Sequence, residues 1–367
     1  MYYHAYLYVK GNMSTQFQNV SQIANFGQAW KLTITTPPDA MGKSKVYTMY
    51  EMAWTPETMR IVFEVNILGY SSHATFWTAK IELYNLASGT SNDQNKPTAQ
   101  DFLYGQGSTV ELSAGYQAGP FGVIFAGTVY QTMYERPEVV DSKVTLMCYT
   151  GLEETIGNFA QFRGNANMTQ AALVAKMCAG AQVPIPIDPG SQNALQALPQ
   201  TQLPRARPFF GDPHKFIDDV AAANNLQSWY GSDGVAISTM ADPDAVTTIT
   251  YTPATGILGV PQQTQDGVNL VVTLDPRLRV SVPPMQINIS SSIIRQLQFT
   301  PPGYRPILDP NGNYLVNGLQ YRGDSRGNQW ETEITAFTSV GGRAAYIYDA
   351  TNPNGPSLDR RAPYGNN

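Results

Sequence analysis

Strict alternation of apolar and polar positions marks two segments of this chain and predicts antiparallel strands. In Arg60–Ile67, the side chains of Ile61, Phe63, Val65 and Ile67 fall on one face, and Arg60, Glu64 and Asn66 on the other. In Phe76–Tyr84, Trp77, Ala79, Ile81 and Leu83 oppose Thr78, Lys80 and Glu82. A period of two over this length means a strand with one face on a core and one toward water. Gln28–Thr35, Ser108–Tyr116, Gly122–Tyr134 and Lys143–Tyr149 are further strand candidates, with Gly115, Gly119, Pro120 and Gly122 marking a turn between two of them. Ala87–Asp101 reads as a polar loop. Strands this closely spaced suggest a sandwich or barrel.

The pattern changes after residue 150. Met168–Gly180 predicts a helix: Thr169 can cap it, Leu173, Val174 and Met177 share a face, and Gly180 can stop it. A Pro-rich connection runs from Val183 to Pro213. Asp212-Pro213 opens a second helix, with Asp212 as cap and Pro213 at the first helical position. Phe216, Ile217, Val220 and Ala221 form its apolar face, and Leu226 and Trp229 close against it. Tyr230–Thr239 resembles a hairpin around Ser232-Asp233-Gly234. Strand candidates then return at Thr247–Thr252, Asn269–Leu274, Met285–Ile289, Tyr314–Arg322 and Trp330–Phe337, with a turn at Asp309–Asn313. The organisation expected is an N-terminal arm (1–27), a β domain (28–150), an α+β insertion with the Pro-rich connection (151–239), a second β domain (240–348) and a C-terminal tail (349–367). The fold class is mainly β with a small α+β insertion. Two β domains of similar size suggest a diverged repeat.

Composition adds a property of the surface. The chain has 367 residues, 42% hydrophobic and only 14% charged, where an ordinary soluble protein has about 25% charged. With 21 Tyr and 5 Trp, this fits a surface largely covered by partners, because interface cores lose charge and gain aromatics. The net charge of -5 and scattered Lys and Arg give no footprint for direct nucleic-acid binding. No run approaches the roughly 18 apolar residues that span a membrane. Met1–Gly11 lacks the parts of a secretory signal, so the chain is expected to be made in a cytosol and to stay soluble or join an assembly. Cys148 in a strand-like run and Cys178 in a helical run read as small core hydrophobes, with their pairing left open.

Candidate chemistry is sparse. Glu153-Glu154 and Asp218-Asp219 are adjacent pairs whose members point apart, so they read as solvated charges rather than a hydrolytic pair. His214, beside Lys215 and Asp218, has no nucleophile motif with it and reads as a surface or helix-end histidine. His4 and His73 lack metal-ligand company, and Gly303–Gly327 lacks a phosphate-loop pattern. No catalytic residue, cofactor or metal is expected. Thr255–Arg277 has strand and turn punctuation, and its charges, Asp266, Asp275 and Arg277, all sit beside turn formers. That suggests shape and assembly rather than catalysis. Gly323–Asn328 reads as a tight turn stapled by bonds from Asp324 to the backbone, with Arg326 either held in the turn or contacting another subunit.

Three segments together resemble the baseplate hub protein of contractile-tailed bacteriophages, of the Mu and T4 hub type. Late-control D proteins and the hub portion of type VI secretion spike proteins share that fold. The first segment is Ala79–Leu86 followed by Val110–Tyr116 and Ile124–Gly127; the second is Thr255–Arg277; the third is Gly323–Trp330. The resemblance implies motif or interface positions at Tyr84, Asn85, Gly115, Tyr116 and Gly127 in the first. In the second it implies Thr255, Gly256, Gly259, Pro261, Gln262, Gly267, Asp275, Pro276 and Arg277, and in the third Gly323, Asp324, Arg326, Gly327 and Trp330. It implies two tail-tube-like β-barrel domains per chain, and a homotrimeric ring that adapts a sixfold tail tube to a threefold central spike. The implied partners are further copies of the chain, the spike protein, a tail tube protein or tube initiator, and a tape-measure protein. The implied location is the tail baseplate of a virion made in a bacterial cytoplasm. The chain stops near residue 367 without a needle, so the spike is expected to be a separate protein. A tail-associated cell-wall hydrolase and a carbohydrate-binding β module stay open as alternatives.

Overall fold

The apolar face of each alternating segment needs a core, and the strands meet that need by joining one large sheet. The computed structural model describes residues 27–338, apart from 40, 52–58, 69–76, 87–97, 103–104, 137–140, 152–156, 201, 203, 225, 232, 239–247, 265–266, 283, 295, 298–307 and 310. His4, His73, Glu153-Glu154, Asp266, the tail, nearly all of the expected arm and most of the expected polar loop lie outside the described residues.

The first β stretch supplies β1 (Gln28–Thr35), β2 (Val46–Glu51), β3 (Ile61–Leu68), β4 (Thr78–Tyr84), β5 (Thr109–Tyr116), β6 (Phe121–Glu135) and β7 (Lys143–Tyr149), with a helical turn α1 (Ala99–Phe102) between β4 and β5. An α+β insertion follows: β8 (Ala160–Gly164), α2 (Gln170–Gly180), α3 (Gln192–Ala197), β9 (Arg207–Gly211), α4 (Pro213–Ala223), β10 (Gln227–Gly231) and β11 (Gly234–Ser238). The last stretch supplies β12 (Thr248–Tyr251), β13 (Ile257–Gln263), β14 (Gly267–Thr273), β15 (Gln286–Ile289), β16 (Gln296–Leu297), β17 (Asn313–Asp324) and β18 (Trp330–Thr338).

The expected mainly β fold with a small α+β insertion is what the chain forms. Its principal sheet has 14 strands in the order β16-β13-β14-β18-β17-β3-β4-β7-β6-β5-β1-β2, with β15 joined to β17 and β12 to β15. Among the described strands no barrel closes. The two β stretches are halves of this open sheet, because β3 takes β17 as its second neighbour, from Leu68 opposite Gly318 to Val62 opposite Asp324. Ile61, Phe63, Val65 and Ile67 are all buried there. At roughly 1.5–3 kcal/mol for each such side chain, this face outweighs the polar pairs on the other side in holding β3 between β4 and β17.

A single hydrophobic cluster runs through both halves, from Trp30, Phe63, Ile81 and Leu112 to Val272, Leu319, Tyr321 and Ile334. The insertion has a second cluster around Leu173, Val174, Met177, Phe216, Ile217 and Ile237. Both expected helices start as their caps dictate. Thr169 Oγ1 accepts from the Ala172 N–H at 3.3 Å, and Asp212 Oδ1 accepts from the His214 N–H at 2.9 Å. The hairpin is β10–β11. The Asp309 turn is also present: Asp309 Oδ1 accepts from the N–H groups of Asn311 and Asn313 at 2.8 and 3.2 Å.

Cys148 belongs to the main core and Cys178 to that of the insertion, and both are free thiols. Burial pushes each thiol up to about 12. Neither should react with an aromatic disulfide reagent at pH 8 until the chain is denatured, when both should titrate. Rapid reaction of the native protein would contradict this packing.

Candidate functional site

The sequence-predicted residues converge where the halves of the sheet meet, around the turn from β17 to β18. Asp324 N–H donates to Gln329 O at 2.8 Å and Gly327 N–H to Asp324 O at 3.1 Å, which closes the turn. Asp324 Oδ1 accepts from the Arg326 N–H at 3.0 Å. This is the expected aspartate-to-backbone staple. The same carboxylate takes a two-pronged grip from Arg60, at the start of β3: Nε to Oδ1 at 3.0 Å and Nη2 to Oδ2 at 2.7 Å. Burial alone would raise the Asp324 carboxyl, but Arg60 and the N–H groups of Arg326 and Gly327 hold it below its ordinary range. Ser325 locks to Ile61 twice, through its backbone N–H and through Oγ, both at 3.0 Å.

Arg326 turns back into its own chain. Its Nη1 donates to Glu51 Oε1 at 2.8 Å, and Glu51 Oε2 accepts from Trp30 Nε1 at 3.0 Å. Trp330 sits between the halves: its Nε1 donates to Gly115 O at 3.0 Å, and its ring packs edge-on against Phe63 at 5.3 Å. Gly323 is needed for this approach, since a Cβ there would lie 2.2 Å from the Phe63 ring. At Gly115 a Cβ would lie 2.1 Å from Pro120 O.

The end of Thr255–Arg277 reaches the same joint. Asp275 is buried and accepts from Tyr251 OH at 2.7 Å and from Arg277 Nε at 2.8 Å, while its own N–H donates to Thr332 Oγ1 at 3.1 Å. Pro276 packs over Gly122. Burial pushes the Tyr116 hydroxyl up to about 12, against hydrogen bonds with Thr273 and Leu274. Gly115 and Tyr116 of the first segment therefore meet Asp275, Pro276 and the third segment. At the joint's edge, Arg60 stacks over Tyr84, 4.7 Å from its centroid. Asn85, at φ +58°, ties Asp141 and Ser142.

The other predicted positions lie away from the joint. Gly127 and Gly267 allow close strand packing, with a Cβ falling 2.5 Å from Tyr149 O and 2.0 Å from Ala336 O respectively. Thr255 is exposed and bonds within its own turn beside Gly256. Gly259, at φ +71°, sits in an irregular stretch of β13 between Leu258 and Gln262, with buried Pro261 beside it. Arg60, Glu51, Trp30, Tyr251 and Thr332 were not singled out from sequence. Their only signal is a partner more than a strand length away.

The histidine reading needs correction. His214 lies at its helix end but is buried, 4% exposed, with its ring 5.2 Å from that of Tyr230. It belongs to the packed face of α4 because Pro213, Phe216 and Ile217 turn the same way. Asp218 is likewise not a free surface charge, since it accepts a hydrogen bond from Ser228 Oγ. Ser228 is itself buried, at 5% exposed. Among the described residues, no three His, Cys, Asp or Glu side chains are placed to hold a metal ion.

No protein-family model and no curated protein matches the chain. Solved structures do match its fold. One is the 43 kDa tail protein of prophage MuSo2 from Shewanella oneidensis, with a TM-score of 0.50 and 8% identity, covering 86% of this chain and 99% of that one. Another is a chain of the PdpA–VgrG complex of Francisella, with a TM-score of 0.52 and 8% identity, covering 89% of this chain and 60% of that one. At such identity the similarity is one of fold.

Two substitutions test the joint. Gly323→Ala should cost about 1–3 kcal/mol through overpacking against Phe63 and Trp330, read as a lower urea midpoint. Asp324→Asn should cost about 1 kcal/mol, since Arg60 is partly exposed and its charge is screened. The sign with pH follows from the lowered carboxyl. Its contribution is full above the ordinary aspartate value of about 3.9 and is lost as pH falls through the folded value. Wild type and Asp324→Asn should therefore converge in stability at low pH; a gap that widens there would contradict the pairing.

Proposed function

We propose that this protein is a structural subunit of a phage tail, the hub of its baseplate. The observation that carries the reading is the likeness of fold to a prophage tail protein along 86% of this chain and 99% of that one. Two features add support. The motif residues brought together form a buried joint rather than an open cleft, and the chain is 14% charged, as suits extensive contact with partners.

In this reading three copies form a ring, and each contributes two tube-like units from 28–150 and 240–348, with 151–239 between them. The ring joins a sixfold tail tube to a threefold central spike in the virion's tail. Its partners are other copies, the spike protein, a tube protein or tube initiator, and a tape-measure protein. The role is structural and not enzymatic. The bond that Asp218 accepts from Ser228 weighs against Asp218-Asp219 as the carboxylate pair of the hydrolase alternative.

Light scattering on the purified protein should give three times the chain mass of 40.2 kDa, and a co-expressed spike protein should co-purify. A mass of one chain, unchanged by spike and tube proteins, would overturn the reading. Clearing on a peptidoglycan zymogram would favour the hydrolase instead, and a glycan-array signal the carbohydrate-binding module.

A further inference from the structure

The sheet face turned away from the core carries a run of charge across six neighbouring strands, β6, β7, β4, β3, β17 and β18. On β6 and β7, Glu135 Oε2 lies 3.0 Å from Lys143 Nζ. Lys143 also reaches Glu82 Oε1 on β4 at 3.2 Å, and Lys80 reaches the same oxygen at 2.8 Å. Burial works against the Glu82 charge, yet bonds from Lys80 and Lys143 hold its carboxyl below the ordinary range. Lys80 stands opposite Glu64 of β3, which accepts from Gln320 Nε2 of β17 at 2.5 Å. Arg322, also opposite Glu64, lies 3.2 Å from Glu333 and 3.8 Å from Glu331 on β18.

This run holds five carboxylates and three cations, so 3 − 5 gives a net charge of -2. Glu82 and Lys143 are already largely enclosed, and covering the face with another subunit would remove water from the other six groups. Each buried ion costs several kcal/mol before pairing offsets it, and interface cores are poor in charge for that reason. Met41, Phe210, Tyr50, Val46 and Val260, the most exposed large apolar side chains, lie outside these six strands, whereas Leu68 shares the outer face of β3 with Glu64.

We propose that this face lines water in the assembled protein and forms no contact between subunits. The inference rests on the assembly reading above, and it adds which surface stays uncovered. Alternating charge with a slight acidic excess also gives the face no attraction for a polyanion.

The buried native thiols allow a direct test. Lys80→Cys places a single accessible thiol in the middle of the face. Treating the assembled oligomer with a maleimide-linked polyethylene glycol should add one label per chain and leave the subunit number unchanged. A thiol that reacts only after denaturation, or labelling that breaks the oligomer, would overturn the inference while leaving the assembly reading intact. A wild-type protein of single-chain mass would overturn both. Glu64→Cys, on the neighbouring strand, gives the same reading should the Lys80 variant fail to fold.

Discussion

The pairing of β3 with β17 is the contact on which the other features rest. Each strand is the inner edge of its own half, and each would otherwise expose a row of backbone donors and acceptors. Their union closes those edges, merges two apolar faces into one core, and brings the β17–β18 turn over the start of β3. It is also a remote contact: Arg60 and Asp324 are 264 residues apart. Such contacts return their free energy only after a long loop has closed. The apolar burial along β3 therefore has to dominate, and the polar contacts fix register and orientation. The two hydrogen bonds between Ser325 and Ile61 fix the register, and a slip by one residue would turn Phe63 and Val65 outward.

A chain with few charges uses them with unusual selectivity. Arg60–Asp324, Arg326–Glu51 and Arg277–Asp275 sit at the joint, each with further hydrogen bonds on the carboxylate. Most of the other ion pairs form the cross-strand run on the outer face. The first group is partly enclosed and directional, so it specifies how the halves dock. Apart from the enclosed Glu82–Lys143 pair, the second is more open and screened, so it adds little stability for each pair. Its effect is to keep that face polar.

Sequence periodicity showed local structure well and long-range pairing poorly. The alternation in β3 and the caps Thr169 and Asp212 were legible because each depends on neighbours within a few positions. β2 escaped because its inward positions are Tyr47, Met49 and Glu51: a buried acid breaks the apolar pattern, and it is tolerated only because Trp30 and Arg326 satisfy it. β13 escaped because Gly259 and the irregularity after Leu258 interrupt its alternation. The barrel expectation followed from counting strands within each half. Which strand lies beside β3 depends on residues some 250 positions away, and no local pattern carries that. The helix-end position of His214 was legible but its burial was not, since Tyr230 of the following hairpin packs against its ring.

The segments Ala79–Gly127, Thr255–Arg277 and Gly323–Trp330 have little reactive chemistry, and the joint explains why. Gly323 has no side chain because Phe63 and Trp330 occupy that space, and Gly115 has none because Pro120 O lies there. Asp275 and Asp324 are carboxylates consumed by internal partners, so neither is free to bind a metal or move a proton. Gly115, Gly323, Asp275 and Asp324 are used in holding the two β halves in one register. The register of the two halves is thus set by contacts within the chain itself, from Arg60–Asp324 and Ser325–Ile61 to Trp330–Gly115.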